Sequence, residues 1–241
     1  MRIAMEMTEE LLNRFLIDVY HRMVVHHTLW FDEVEKELGT AKALQAMEVA
    51  WDKTRDITFQ RVGQMLSIEG DKGDSFFLQL TYDKKEELLN ELAKCWLAQD
   101  GVWFQAVEFT EGMTCAKKCN DATWMRFSPF EAYSVKRLLG LEEHCGLKGL
   151  QKALDFRIYS RLNKQSSYFW GDNLIFEMND CRVQSARVRK GLADYPCKSA
   201  GLVEYSCFAK GIDERIQMEC IGCPPDPHPD KWFCAWKFFV V

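Results

Sequence analysis

Cys220-Ile-Gly-Cys223-Pro-Pro-Asp-Pro-His-Pro-Asp-Lys-Trp-Phe-Cys234 is a proline-stiffened knuckle between two apolar runs, Ile212 to Cys220 and Trp232 to Val241, whose composition and period predict strands. Two strands flanking such a loop make a β-hairpin with cysteines at its tip. The run from Cys197 to Gly211 before it reads as a helix, so the segment predicts an α/β layer. Zinc takes four ligands tetrahedrally, and a Cys-x2-Cys turn lets two sulfurs meet one ion. Cys220 and Cys223 supply that pair, and the stiff loop returns Cys234 to them. Cys197 completes the set from a helix N-terminus, where the macrodipole favours a thiolate. The expectation is a structural zinc held by Cys197, Cys220, Cys223 and Cys234, with Cys181 and His228 in reserve. A four-thiolate shell also tolerates iron or an iron–sulfur cluster, and inert or redox-active cysteines are the competing reading.

Upstream of the knuckle, the run from Asn173 to Gln184 reads as a strand, with Arg182 and Gln184 projecting from one face. Arg182, Arg187, Arg189, Lys190 and Lys198 concentrate positive charge there. With Gln184 they could hold a ligand carboxylate or phosphate, or they could form a solvated charged face.

The first half has a different grammar. Apolar residues recur at helical spacing in Leu12, Phe15, Leu16, Val19 and Met23, and again in Leu88, Leu89, Leu92, Cys95 and Trp96. The sequence also repeats itself at an offset of 73 residues: Trp30, Phe31, Val34, Glu35, Gly39, Ala43, Trp51, Val62 and Leu66 correspond to Trp103, Phe104, Val107, Glu108, Gly112, Ala116, Trp124, Val135 and Leu139. This predicts a duplicated helix pair, with Gly39 and Gly112 at equivalent helix ends. Trp103 and Trp124, with Trp30 and Trp51, either fill the core or line a pocket for an aromatic ligand. His26 and His27 correspond to Gln99 and Asp100 in the other copy, which argues against a duplicated metal site. Glu69 to Asp74 reads as a turn-rich connector and Ser75 to Tyr82 as a short strand or linker, with the next helix beginning at Lys84. Ser128-Pro-Phe-Glu131 predicts a helix start capped by Ser128, with Gly140 closing that helix after Leu139.

A chain of 241 residues with 47% apolar and 28% charged residues has the composition of a globular protein, and its sixteen Phe and eight Trp can build a core. Its ten cysteines are therefore expected to be reduced thiols, Cys95, Cys115, Cys119, Cys145 and Cys207 among them as small buried hydrophobes. A net charge of −5 argues against nucleic acid as a partner. No apolar run reaches the roughly 18 residues of a membrane span, and the first residues lack a signal peptide's apolar stretch. A cytoplasmic location is expected, and self-association is left open. No P-loop, Gly-x-Gly-x-x-Gly, Gly-x-Ser-x-Gly or His-Glu-x-x-His occurs.

Asn179-Asp-Cys-Arg-Val-Gln184, Gly191 to Gly201, Glu204-Tyr205, the knuckle, Cys234-Ala-Trp-Lys-Phe, Arg126 to Ala132 and Lys136 to Leu141 resemble a family of uncharacterised cytosolic proteins found mainly in anaerobic microbes, over roughly residues 85 to 241. More distantly, the C-terminal third is similar to the vinyl reductase domain, a small-molecule-binding module in which a cysteine before a helix and an acidic-x2-Cys…Cys hairpin bind zinc. Cys197, Cys223 and Cys234 match that pattern, and Cys220 stands where the domain has an acidic ligand, with Glu219 beside it. The aminothiazoline carboxylate hydrolase family is similar in the same way.

The predicted fold is α+β: a duplicated helical region, residues 1–127, packed on a vinyl-reductase-like α/β module, residues 128–241, with an antiparallel sheet and a cysteine metal site. The expected role is binding of a small molecule by Arg182, Gln184, Arg187, Trp103 and Trp124. The competing class is an enzyme, either a hydrolase of a thiazoline-like carboxylate or a reductase of a conjugated ring.

Overall fold

Thr8 and Thr81 each sit in extended backbone and turn their hydroxyls back to accept the N–H three residues on, Leu11 at 3.2 Å and Lys84 at 3.4 Å. Both therefore cap helices of the same length: α1, Glu9–Leu38, and α3, Tyr82–Glu111. Gly39 (φ 81°) and Gly112 (φ 87°) end them in a conformation that an L side chain rarely adopts, and each donates its N–H to a carbonyl in the last turn. The chain then re-enters helix at once, as α2, Thr40–Leu66, and α4, Met113–Leu139. The computed structural model describes residues 7–66, 80–189, 191 and 194–241. The expected connector at 69–74, most of the strand-like run at 75–82, and Lys190 lie outside them; the third helix begins at Tyr82, two residues before the expected Lys84.

The chain divides into two compact units, Met1–Thr123 and Trp124–Val241. In the first, the core is Trp30, Val34, Ala43, Ala50, Trp103, Val107, Ala116 and Cys119, all buried, with small residues where the helices approach.

In the second unit, the last turns of α4 precede α5 (Gly146–Leu154), a 3-10 turn (Ile158–Arg161), β1 (Lys164–Trp170), β2 (Asn173–Asp180), α6 (Arg182–Val188), α7 (Lys198–Ile212), β3 (Ile216–Gly222) and β4 (Cys234–Val240). The four strands form one antiparallel sheet in the order β1-β2-β4-β3. Helices with an antiparallel sheet make the α+β class that the sequence predicts. Leu174, Phe176 and Met178 on β2 face Phe238, Trp236 and Cys234 on β4 across the ladder, and all six are buried. On this side lies α7, whose Tyr205 stacks on Trp236 at 4.8 Å and tilts against Phe176 at 5.4 Å.

Two expectations are corrected. Pro129 does not begin a helix, because α4 is continuous from Met113 to Leu139 with the proline inside it and Ser128 buried. The carbonyl that Pro129 leaves without a helical partner belongs to Met125, which is exposed, so the loss falls on the solvent side. The strand expected from Asn173 to Gln184 ends at Asp180, and Arg182 starts a helix instead. At this turn the Asn163 side-chain oxygen accepts the Arg182 N–H at 2.9 Å, which satisfies that donor outside the ladder.

Candidate metal centre

Four chain ends converge at one end of the second unit. From Lys198 the 15 residues of α7 rise about 22 Å, and after a turn at Asp213 the 7 residues of β3 run back about 23 Å. The matched lengths return the chain beside the start of α7, where Pro224 accepts the Lys198 N–H at 2.9 Å. That brings the sulfurs of Cys197 and Cys223 to 3.5 Å. Antiparallel pairing puts the start of β4, and so Cys234, at the same end, and β2 also finishes there, just before Cys181.

Cys223 is almost fully buried and shares thiol hydrogen bonds with Cys197 and Cys234. These bonds and burial hold its thiol far above the ordinary range, whereas the hydrogen bond from Cys223, with a second from the Gln184 amide, favours the Cys197 thiolate against burial. Gln184 is the organiser of this corner. Its amide nitrogen reaches Cys197 Sγ at 3.4 Å and the Tyr195 carbonyl at 2.8 Å, and its oxygen accepts the Tyr195 N–H at 2.8 Å. Its own backbone N–H, with that of Val183, donates to Cys181. Burial nevertheless pushes Cys181 up to about 12, and its thiol feels the charges of Cys234 and Cys197.

Cys220 is placed differently. It lies inside β3 opposite Trp236, ahead of a bulge that shifts the register before Gly222, and it is half-buried near Lys198 and Asp226. His228 is engaged by Asp194 at 3.2 Å and by the Pro229 carbonyl at 3.2 Å. Among the described residues no group of three or more His, Cys, Asp or Glu side chains is arranged to hold a metal ion. The 3.5 Å contact of Cys197 with Cys223 is close to the roughly 3.8 Å edge of a tetrahedron with zinc–sulfur bonds of about 2.3 Å. All ten cysteines are free thiols.

The residues expected to hold a small molecule are distributed over both units. Gln184 is buried and committed to Tyr195 and Cys197, and Arg182, two positions away on α6, is exposed. Trp103 belongs to the core of the first unit, stacked on Trp30 at 5.9 Å. Trp124 stacks on Tyr159 at 5.7 Å in the second unit.

Beside Trp124 is a buried group that the sequence reading passed over. Arg157, 2% exposed, pairs through Nε with Glu131 at 2.9 Å and through Nη1 with Glu204 at 2.7 Å, and Glu131 also accepts the Ile158 N–H at 3.1 Å. Burial disfavours the guanidinium's charge, but the two carboxylates outweigh it and raise its pKa, while burial raises that of Glu204. The rings of Phe208, Tyr205, Trp124 and Tyr159 surround its Cζ at 4.6 to 6.0 Å. The signal was present in the period: Glu131 and Glu204 occupy core positions of otherwise apolar helix faces, beside Phe127 and Ala132 and beside Ala200 and Phe208.

Comparison with known proteins gives a class before any role. Residues 78–240, about two thirds of the chain, match a family of unknown function, DUF6125. The chain belongs to that family. No curated protein and no solved structure matches it, so the resemblances to the vinyl reductase domain and to aminothiazoline carboxylate hydrolases gain no support.

Proposed function

We propose that the second unit is a zinc–thiolate module whose ion is structural, with Cys181, Cys197, Cys223 and Cys234 as ligands and Cys220 outside the shell. The observation that carries the reading is the Cys197–Cys223 contact of 3.5 Å, a spacing suited to two sulfurs on one ion. Cys181 supports it by position, at the end of β2 where the other three gather, and by the two backbone N–H groups aimed at its sulfur. Such donors stabilise a metal-bound thiolate. Four protein ligands leave no position for a substrate or a water, so the ion's work is to pin α6, α7 and the β3–β4 loop together.

A module held this way serves recognition, and the small-molecule ligand expected from the sequence falls to the rest of the unit. Arg157 supports that half of the reading: its Nη2, buried among aromatic rings, has no hydrogen-bond partner among the described residues and is a donor for an oxygen of a flat ligand.

Elemental analysis of protein purified without oxygen tests the metal. One zinc per chain is expected in the wild type and in Cys220→Ser, with at least tenfold weaker zinc binding in Cys181→Ser. Cys223→Ser should also cost several kcal/mol of stability. A stable wild type without metal overturns the proposal, and bound iron with visible absorption replaces zinc by a cluster. Loss of zinc in Cys220→Ser but not in Cys181→Ser overturns the assignment of the fourth ligand.

A further inference from the structure

The two helix pairs repeat in position as well as in sequence. Glu9 and Tyr82, Leu38 and Glu111, Thr40 and Met113, Leu66 and Leu139 are the corresponding helix ends, each 73 residues apart, and the caps Thr8 and Thr81 keep the same offset. Equivalent residues then meet one another. Trp30 stacks on its own counterpart Trp103, with ring planes 8° apart and centroids 5.9 Å apart. The indole N–H of Trp30 donates to Asp100 at 3.2 Å, and that of Trp103 donates to His27 at 3.2 Å. His27 and Asp100 are themselves counterparts, so the two bonds are one interaction made twice in opposite senses. The buried core contains the pairs Trp30 and Trp103, Val34 and Val107, Ala43 and Ala116. Residues that touch their own equivalents, with reciprocal contacts on either side, are the mark of an isologous two-fold contact.

The family match adds the second observation. It starts at residue 78, just ahead of α3, and leaves α1 and α2 out. The family segment therefore holds one helix pair, and an amphipathic pair cannot bury its apolar face alone. We propose that α1 and α2 stand in for a second copy of this chain: the face of α3 and the start of α4 is self-complementary, and when the first pair cannot cover it, it pairs with the same face of another molecule across a two-fold axis.

The test uses the full-length chain. Val34→Asp with Ala43→Asp puts charge into the buried face of the first pair alone. Light scattering should give twice the wild-type mass with helix content largely retained, and adding Val107→Asp, which charges the face proposed to pair, should return the wild-type mass. A helical protein of wild-type mass in the first variant, or open-ended aggregation, overturns the proposal. Should that variant lose its helicity, a second full-length chain decides, in which the 30 residues of α1 are replaced by the 30 of α3. A self-complementary face predicts a soluble, cooperatively melting protein of wild-type mass; loss of helix or precipitation overturns it.

Discussion

His26 is fully buried in the first unit, with Nε2 3.5 Å from Asp100 and its ring 5.5 Å from Trp96. Burial first, and His27 second, depress its pKa from 6.5 to about 3. An unfolded chain binds a proton there below pH 6.5 while the folded one does not, so stability is complete above that pH and falls as the pH drops toward 3. One such group changes stability by at most about 1.4 kcal/mol per pH unit. The second copy has Gln99 at the equivalent position, reaching the Met23 carbonyl at 3.4 Å without a titrating group. His26→Gln should therefore flatten the dependence of unfolding free energy on pH between 6.5 and 4, measured by denaturant titration; an unchanged slope would locate the acid sensitivity elsewhere. The pairing of His26 and His27 with Gln99 and Asp100 was legible from the repeat. That His27 and Asp100 accept from the two tryptophans was not, since a 73-residue offset says which residues are equivalent and nothing about which ones touch.

At the scale of elements, glycines in helices divide by what lies opposite them. A Cβ on Gly201 would stand 2.7 Å from Trp236 Cζ2, which is fully buried, and 3.7 Å from Cys223 Sγ. Near the other end of the same helix, a Cβ on Gly211 would meet that of Ala132 at 2.6 Å. These two gaps let α7 sit against both the sheet and α4. A Cβ on Gly101 in α3 would meet, beyond its own helix backbone, no atom of the described residues within 4 Å. Gly101→Ala should thus raise stability by about 1 kcal/mol through helix propensity and a smaller unfolded-state entropy. In Gly201→Ala the same gain is opposed by overpacking of about 1–3 kcal/mol, and a thermal melt should show net loss. Periodicity revealed α7, β3 and β4 to within a few residues because apolar spacing encodes them locally. It misread the end of β2 and the course of α4 because the first involves a contact distant in sequence, Asn163 with the Arg182 N–H, and because Pro129 is tolerated where the helix faces solvent.

Over the whole molecule, the two units have separate cores, and every proposed ligand of the zinc lies in the second. Stripping the ion from protein prepared with it should raise amide exchange at the ends of β2, β3 and β4 and the first turn of α7, and leave α1 unchanged; uniform loosening would count against a structural site confined to one unit. The cysteine corner was half legible in the sequence. The x2 spacing of Cys220 and Cys223 favours a shared ion, yet a bulge separates them in β3, and Cys181 reaches the corner only through sheet order, which local spacing does not encode. No helix among the described residues is long and apolar enough to cross a membrane. The stacked tryptophans of the first unit carry one more implication, for how such a chain can evolve. Two identical subunits facing each other must carry the same amino acid at equivalent positions on either side of their shared axis. Joined in one chain, the halves are free to diverge, and the two indole N–H groups meet different acceptors, Asp100 and His27, at one equivalent position, a difference that strict symmetry forbids.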